Sequence, residues 1–224
     1  GSEMCIRDRG ILSLSTPPSP AERFVRSSLL PNLCRAVAKN ERYYGDFAIF
    51  ETAQVFRDEN YTSPYDPREK LPSQRKNVAG AFVSAGKDVT GLFRRAKGVV
   101  EMMPRYTHME PYSFRQVSKP VWADEVVWLN IYLGEEYIGD LALLSKRVSM
   151  ACGIKNVNVM LFQIDQDALV PLRSRTNTFT HLAEYPMTDY DISLLVDGSV
   201  QWKDVAQTVR GIKSELLHGA AFVD

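Results

Sequence analysis

Residues 125–145, EVVWLNIYLGEEYIGDLALLS, constrain the fold most, because two apolar runs here flank a Gly-Glu-Glu turn. Two apolar runs joined by a short glycine-containing turn are typical of a β-hairpin. Further strands are predicted at 47–56, 77–86 and 157–165 from their β-branched and aromatic content. Because strands outnumber helices and the connections resemble hairpins, the sequence predicts an α+β fold with a mainly antiparallel sheet and flanking helices.

Amphipathic helices are predicted beside these strands. Residues 31–40 carry apolar side chains at helical spacing, and Pro31 suits the first helical position, where its missing N–H would be unpaired anyway. The hydroxyls of Ser27 and Ser28 just before it can cap the helix. A second helix is predicted at 88–103.

A polar segment at 57–75 contains three prolines, which predicts a long loop of the kind that is usually functional or mobile. In the strand before it, Phe50 and Val55 are predicted to lie on buried faces. Near the end of the last strand, Asp165 and Asp167 are interpreted as caps for a turn that begins at Ala168.

The composition is that of a globular protein. The chain has 27 basic and 27 acidic side chains, and a net charge of zero argues against a protein that coats nucleic acid by charge alone. No run of about 18 apolar residues is present, so no transmembrane helix is expected. Cys5, Cys34 and Cys152 form neither a metal-type spacing nor a disulfide framework, and a reducing cytoplasm is the simplest location.

The two ends of the chain differ in residue pattern from its middle. The start, GSEMCIRDRG, lacks periodicity and contains a string, MCIRDR, that resembles a translated sequencing-adapter scar, so residues 1–14 are interpreted as a non-native arm. Residues 15–178 are predicted to be one core domain. Residues 179–224 contain a predicted linker, a strand at 191–197, a helix from a Ser199 cap and a last strand, which is the first half of a ferredoxin-like β-α-β-β-α-β module.

The order of five segments along the chain forms a further pattern. They are VRSSLLPNLCRAVAKN (25–40), FAIFETAQVF (47–56), LNIYLGEEYIGDLALLSKRV (129–148), VMLFQIDQDAL (159–169) and EYPMTDYDISLLVD (184–197). In this order they resemble the β subunit of phenylalanyl-tRNA synthetase (phenylalanine–tRNA ligase). That family has an Arg-x-Ser-Leu-Leu-Pro helix start, a Phe-Glu-x-Gly-x-Val-Phe strand, a hairpin with a central Ile-Gly, a Phe-Glu-Leu-Asp-x-x-x-Leu strand and a ferredoxin-like anticodon-binding module.

The sequence departs from the family pattern at a few positions. Ala53 stands where the strand glycine is usual, and Tyr190 stands where an arginine usually precedes Asp191. The family's N-terminal editing and Mg²⁺-holding parts are not found in this sequence. The resemblance therefore implies a truncated, C-terminal part of a larger subunit.

The resemblance also implies a function. It implies a class II synthetase-like domain that has lost catalysis and packs against the catalytic α subunit in an α2β2 heterotetramer. The C-terminal module would reach the tRNA anticodon. The complex would join phenylalanine to its tRNA in the cytoplasm with ATP and Mg²⁺, and the chemistry would lie in the α subunit, with no cofactor in this chain.

One short motif could carry chemistry. FRDE (56–59) fits the aromatic-Arg-x-acid motif of class II synthetases, whose arginine binds the ATP α-phosphate through a planar guanidinium fork. The later Gly-x-Gly-x-x-Arg motif is not found, so the transferring phosphate would lack a second arginine. Arg57 and Glu59 are therefore interpreted as vestigial, and no catalytic residue is assigned.

The candidate tRNA-binding residues are Arg173, Arg175, Tyr185 and Tyr190. The two arginines precede the linker and could contact the tRNA backbone, and the two tyrosines flank the start of the C-terminal module and could stack on unpaired bases. Trp202 instead has the spacing of a core residue.

Other surface residues were assigned no site. Arg94, Arg95 and Lys97 are interpreted as a solvated helix face, with contacts to the tRNA backbone as the alternative. The three histidines are isolated, so no metal site is predicted. Two other functions fit the residues: a stand-alone RNA-binding protein, and a free-standing ATP-using, adenylate-forming enzyme that relies on Arg57 and Glu59.

Overall fold

The fold is described from a computed structural model, and the chain divides into two compact units, Gly1–Thr178 and Phe179–Asp224. Residues 58–62 and 70–71 are described by their backbone alone. The described residues are 12–19, 23–62, 70–172, 179, 186–212, 214, 216–217 and 219–223.

The first unit is a six-stranded sheet with flanking helices. All neighbouring strands are antiparallel, in the order β1-β2-β6-β5-β4-β3, so the predicted antiparallel α+β architecture is confirmed. The last strand along the chain, β6, therefore lies between β2 and β5. The elements are α1 Leu30–Asn40, β1 Asp46–Thr62, β2 Lys70–Ser84, α2 Val89–Tyr106, β3 Ser113–Arg115, β4 Ala123–Leu133, β5 Glu136–Leu144, α3 Lys146–Ala151 and β6 Asn158–Asp165.

Strands β1 and β2 form a much longer hairpin than the sequence predicted. They pair from Asp46↔Ser84 out to Thr62↔Lys70, with one irregularity between Arg57 and Asn60. The prediction of a loop over 57–75 is therefore wrong for 57–62 and 70–75, while residues 63–69 lie outside the described part. Pairing with a neighbouring strand decides strand formation here, and it overrides the polar composition on which the loop prediction was based.

The predicted hairpin at 125–145 is confirmed in strands β4 and β5. Gly134 begins the turn with φ +62°, a left-handed conformation that glycine adopts at little cost. Opposite β6, Gly139 of β5 pairs with Ile164, and a side chain at this position would overlap the Gln163 carbonyl oxygen. Glycine at 139 therefore permits the close approach of β5 to β6.

Each face of the sheet carries its own core. Alternate residues of a strand point to opposite faces, so one face packs on α1 and the other on α2. The α1 side includes Leu33, Val37, Val55, Ala81 and Leu161. The α2 side includes Leu92, Val100, Ile131, Leu141 and Phe162.

The two predicted buried residues of β1 have different surroundings. Val55 is fully buried on the α1 side, whereas Phe50 is 81% exposed, so the prediction for Phe50 is wrong. The two residues are five positions apart, an odd offset, and a strand with a side-chain period of two therefore places them on opposite faces. Because β1 is an edge strand, the second face of the sheet is less covered at Phe50.

The second unit has one helix, α4 (Trp202–Arg210), among its described residues. Residues 191–197 form no strand, and no strand occurs at the described positions of 216–223, so the two predicted strands are not formed there. A strand needs a hydrogen-bonded neighbour, and the two strands of a split β-α-β unit do not pair with each other. The ferredoxin-like half-module therefore stays a prediction.

The start of α4 also differs from the prediction. Gln201, rather than Ser199, is the N-cap residue, and its backbone N–H donates to the carboxylate of Asp204 at 3.2 Å. The Ser199 hydroxyl donates instead to Asp197 at 2.6 Å, in a turn before the helix. Trp202, predicted as a core residue, is exposed, although its ring lies edge-on to Phe222 with centroids 5.6 Å apart.

Candidate functional site on one face of the sheet

The segment before α1 is bound to strand β1 through Arg26. The Arg26 guanidinium donates from Nη1 to Glu51 Oε1 at 2.9 Å and from Nε to the Gln54 carbonyl oxygen at 2.7 Å. The Arg26 carbonyl oxygen in turn accepts the Phe56 N–H at 2.9 Å. The arginine of the Arg-x-Ser-Leu-Leu-Pro motif thus holds the glutamate of the Phe-Glu strand motif.

The serine of the same motif is bound to the centre of the sheet. Ser28 Oγ donates to Gln163 Oε1 of β6 at 2.8 Å, and the Leu29 N–H donates to the same oxygen at 2.9 Å. Ser28 Oγ also accepts the Leu30 N–H at 3.2 Å, but the N-cap residue of α1 is Leu29 and no side chain caps the helix, so the predicted hydroxyl cap is wrong. One oxygen of Gln163 therefore positions the start of α1 over β6.

Replacing Ser28 by alanine is expected to lower the free energy of unfolding by about 1–2 kcal/mol, because the hydrogen bonds of its hydroxyl to Gln163 and to the Leu30 N–H are lost. Ser27 is similarly half-buried and supplies a matched control, for which Ser27→Ala should stay within about 0.5 kcal/mol. Urea unfolding followed by circular dichroism measures both variants. Equal losses at the two serines would contradict the assigned role of Ser28.

Polar side chains continue across the sheet at the level of Gln163. The strand register aligns Glu51, Ala79, Gln163, Asp140 and Asn130 in one row, on the face that packs on α1. Polar residues at core-facing positions are rare unless they are hydrogen-bonded. This row, which we call the polar row, is therefore the place on the sheet where chemistry or specific recognition would be sought.

Asn130 closes the polar row at its far end and is only 2% exposed. Its Oδ1 accepts the N–H groups of Val117 and Ser118 at 3.0 and 2.9 Å. Its Nδ2 donates to the Ser118 carbonyl oxygen and to Asp140 Oδ1, both at 2.8 Å. The Tyr137 hydroxyl donates to the other Asp140 oxygen at 2.8 Å, so this end of the row is internally satisfied.

Arg57, the vestigial-motif arginine, lies near a carboxylate. Its Nη2 is 3.6 Å from Asp165 Oδ2. The other Asp165 oxygen accepts the N–H groups of Asp167 and Ala168 at 3.0 and 3.3 Å, which confirms Asp165 as a cap of the turn at Ala168. Asp167 Oδ2 instead accepts the Lys76 N–H at 2.8 Å. A phosphate that approached Arg57 would have to compete with Asp165 for the guanidinium. Glu59 lies in β1, and its side chain lies outside the described part.

Asn77 faces the same region from β2, where it pairs with Asp165. The side chain is 1% exposed, and its Oδ1 has no hydrogen-bond partner. An unsatisfied buried acceptor destabilises a protein by about 1–3 kcal/mol.

The basic residues of α2 lie on the other side of the sheet. Arg94 and Arg95 are exposed, as a solvated helix face requires, whereas Lys97 pairs with Glu101 and lies 4.6 Å from the centre of the Phe114 ring. A shallow groove of about 630 Å³ runs along this face. It is lined by Arg94, Arg95, Gly98, Val99, Met102, Met103 and Tyr106.

The predicted tRNA-binding residues are only partly within the described structure. Tyr190 belongs to the second unit and is 84% exposed, which suits a stacking residue. Arg173, Arg175 and Tyr185 lie outside the described residues. Within the described part of the chain, no group of three or more His, Cys, Asp or Glu side chains could hold a metal ion. None of the described helices is long and apolar enough to cross a membrane.

The fold has counterparts among solved structures. Two solved structures of pyrrolysyl-tRNA synthetase from Desulfitobacterium hafniense share it, with TM-scores of 0.58 and 0.55, and they cover 80% and 72% of this chain and 63% and 52% of theirs. The sequence identity is 14% in both cases, so the likeness shows the fold alone. The chain thus shares its fold with these tRNA synthetase structures.

The family follows from the sequence. The model of the phenylalanyl tRNA synthetase beta chain CLM domain matches residues 6–166, and the chain belongs to this family, which confirms the resemblance. The match begins inside the segment 1–14 that was interpreted as a non-native arm.

Curated relatives are named phenylalanine–tRNA ligase β subunits. The protein of Desulfotalea psychrophila is 25% identical over 239 residues, which cover 96% of this chain and 28% of the relative. The protein of Oceanobacillus iheyensis is 27% identical over 229 residues, which cover 95% of this chain and 26% of that relative. A Staphylococcus aureus relative is 25% identical over 231 residues, which cover 98% of this chain and 27% of that relative. The chain therefore spans about a quarter of the length of these relatives.

Sequence reasoning missed most of the polar row. Gln163, Asp140 and Asn130 were assigned no role, although each interrupts an apolar strand at a core-facing position. That interruption is the signal that could have identified them, since a polar residue in such a position requires a partner. The sequence could not identify Ser28 as the partner of Gln163, because the two residues are 135 positions apart in the chain.

Proposed function

We propose that this chain is the class II-like, structural part of a phenylalanine–tRNA ligase β subunit, which packs against the catalytic α subunit of an α2β2 complex in the cytoplasm. Residues 179–224 contribute to tRNA binding through Tyr185 and Tyr190, and Arg173 and Arg175, just before this unit, contact the tRNA as well. The complex joins phenylalanine to its tRNA with ATP and Mg²⁺, and this chain supplies no reacting group.

The observation that carries this proposal is that the family's motif residues bind one another. Arg26 is paired with Glu51, and Ser28 and the Leu29 N–H are bound to Gln163. In a catalytic site, polar groups of this kind would be directed at the substrate and at the charge that develops in the transition state. Here they fix the start of α1 to the sheet, which is a structural use.

The surroundings of Arg57 support the same assignment. A guanidinium that binds phosphate acts through a pair of parallel N–H donors, and in this chain one of those donors faces Asp165. The ATP and Mg²⁺ of the reaction are therefore assigned to the α subunit rather than to this face of the sheet. The carboxylate of Asp165 pairs with Arg57 and accepts hydrogen bonds from the turn that follows β6.

Mixing the full chain with a bacterial phenylalanyl-tRNA synthetase α subunit tests the proposal. We expect size-exclusion chromatography with light scattering to show a mixed complex heavier than either component, against 25.3 kDa for this chain alone. The Arg57→Ala variant should bind the α subunit equally well, because Arg57 is assigned no part in the interface. Separate elution of the two proteins over a range of concentrations would contradict the proposal.

Two further assays separate the proposal from its alternatives. An ATP-using, adenylate-forming enzyme would show pyrophosphate exchange by the chain alone, and Arg57→Ala would abolish that exchange. A stand-alone RNA-binding protein would bind tRNA without the α subunit, with an affinity that falls steeply as salt rises. We expect neither exchange nor tight tRNA binding by the isolated chain.

A further inference from the structure

Helix α1 and the turn after α3 lie side by side, and two cysteines meet between them. The carboxylate of Glu41, just beyond α1, accepts the N–H groups of Lys155 and Asn156 at 3.2 and 3.3 Å. Cys34 on α1 is fully buried, and Cys152, which ends α3, is half-buried. Both are free thiols, and Cys152 packs against the buried cluster that contains Cys34.

The two thiols have opposite chemical characters. The pKa of Cys34 is raised, first because its proton is held by the hydrogen bond to Cys152 and then because the side chain is buried. The pKa of Cys152 is lowered to about 7, first by the hydrogen bond from Cys34 and further by the Arg35 guanidinium. A thiolate beside a protonated thiol is the arrangement in which one cysteine is oxidised and the second resolves the product.

Access favours the same order of events. Cys152 lies in a turn that Gly153 ends with φ +79°, next to Met150, which is well exposed. Cys34 lies in the core on the α1 side of the sheet and is 0% exposed. An oxidant in solution therefore meets Cys152 first.

We propose that Cys34 and Cys152 form an intramolecular disulfide when a hydroperoxide, such as hydrogen peroxide, oxidises Cys152. The Cys152 thiolate attacks one peroxide oxygen, the O–O bond breaks, and the product is a sulfenic acid, while the released hydroxide takes up a proton to form water. The sulfur of Cys34 then attacks the sulfenic sulfur, the S–O bond breaks, and the Cys34 proton leaves with the hydroxyl group as a second water. Two thiols and one hydrogen peroxide thus give one disulfide and two water molecules.

This site is independent of the proposed ligase function. The two sulfurs lie on α1 and at the end of α3, whereas the polar row is built from residues of the strands. The disulfide would join α1 to the turn after α3, which the Glu41 contacts already hold together. The chemistry requires a peroxide and no tRNA, ATP or partner subunit.

The test uses the full chain with Cys5→Ser, which leaves only the two cysteines in question. The chain is exposed to hydrogen peroxide at neutral pH, the reaction is stopped with acid and an alkylating reagent, and peptides are mapped by mass spectrometry. We expect a peptide that links residues 34 and 152, formed at least about tenfold faster in the native chain than in the same chain unfolded in urea. A native rate no greater than the rate in urea would overturn the proposal, because the folded geometry would then play no part.

Two variants test the order of the steps. In Cys34→Ala, Cys152 should be trapped as a sulfenic acid by dimedone and no link should form. In Cys152→Ser, Cys34 should stay unmodified under conditions that oxidise the native chain. Conversion of Cys152 to sulfinic acid without a link in the chain that keeps both cysteines would overturn the proposal, as would rapid oxidation of Cys34 in Cys152→Ser.

Discussion

Replacing Gly139 by alanine is expected to lower the free energy of unfolding by about 3–5 kcal/mol, a large effect for the addition of one methyl group. Gly139 of β5 lies opposite Ile164 of β6, and a Cβ at this position would overlap the Gln163 carbonyl oxygen and approach the Ile164 Cα at 3.0 Å. Both contacts are with backbone, so a rotamer change cannot relieve them. The two strands would have to separate, and their ladder of hydrogen bonds would weaken.

The matched control for this substitution is Gly98→Ala. Gly98 lies inside α2, and a Cβ built there meets no atom within 4 Å. Because alanine is favoured over glycine within a helix, this variant should be more stable by about 0.5–1 kcal/mol. Urea unfolding of both variants gives the comparison. If Gly139→Ala unfolded at the same urea concentration as the parent chain, the close approach of β5 to β6 would be wrong.

Replacing Asn130 by leucine is expected to cost about 3–4 kcal/mol of unfolding free energy. The substitution leaves the Val117 and Ser118 N–H groups without an acceptor and removes a donor from Asp140, and each unsatisfied buried group costs about 1–3 kcal/mol. The added apolar burial offsets part of that loss. Asn156→Leu is the control at an exposed position and should change stability by no more than about 0.5 kcal/mol.

The variant Asn130→Asp keeps the size of the side chain and changes its hydrogen bonds, so it tests hydrogen bonding apart from shape. The new carboxylate keeps the two acceptor contacts to Val117 and Ser118, but it faces Asp140 where Asn130 now donates at 2.8 Å. Two carboxylates so close together cannot both be ionised at low cost. We therefore expect this variant to lose more stability at neutral pH than in acid, where one proton is shared. A loss that did not change with pH would mean that Asp140 is not the partner of residue 130.

The parts of the fold that sequence patterns predicted are those with a strong local signal. Strand β6, the β4–β5 hairpin and helix α1 follow from apolar runs, a glycine turn and helical spacing, and all three are present. The outer halves of β1 and β2 were missed because their residues are polar, and their strand state depends on each other as partners. The alternation of side chains along a strand predicts that Phe50 and Val55 face opposite sides of the sheet. Which of the two sides is buried at Phe50 depends on elements that are distant in the sequence.

The second unit and the polar row show the same limit. Residues 191–197 have a strand's composition, but no neighbour for them is described, so composition alone overstated the structure. The motif series identified the family correctly, yet it did not show why the motifs exist. Arg26 meets Glu51 and Ser28 meets Gln163 across 25 and 135 residues of chain, and contacts of that range are set by the fold as a whole.

The central position of β6 has a consequence for synthesis on the ribosome. The β1–β2 hairpin and the β3–β4–β5 segment can each pair locally as they emerge, but β6 follows both and joins them by binding to β2 and β5. From Ser84 at the end of β2 to Asn158 at the start of β6 are 74 residues (158 − 84), or about 4–15 s at ribosomal rates of about 5–20 residues per second. Throughout that interval the edge of β2 stays open, and the edge of β5 joins it once Leu144 has been synthesised. These edges are the surfaces that a ribosome-associated chaperone would shield.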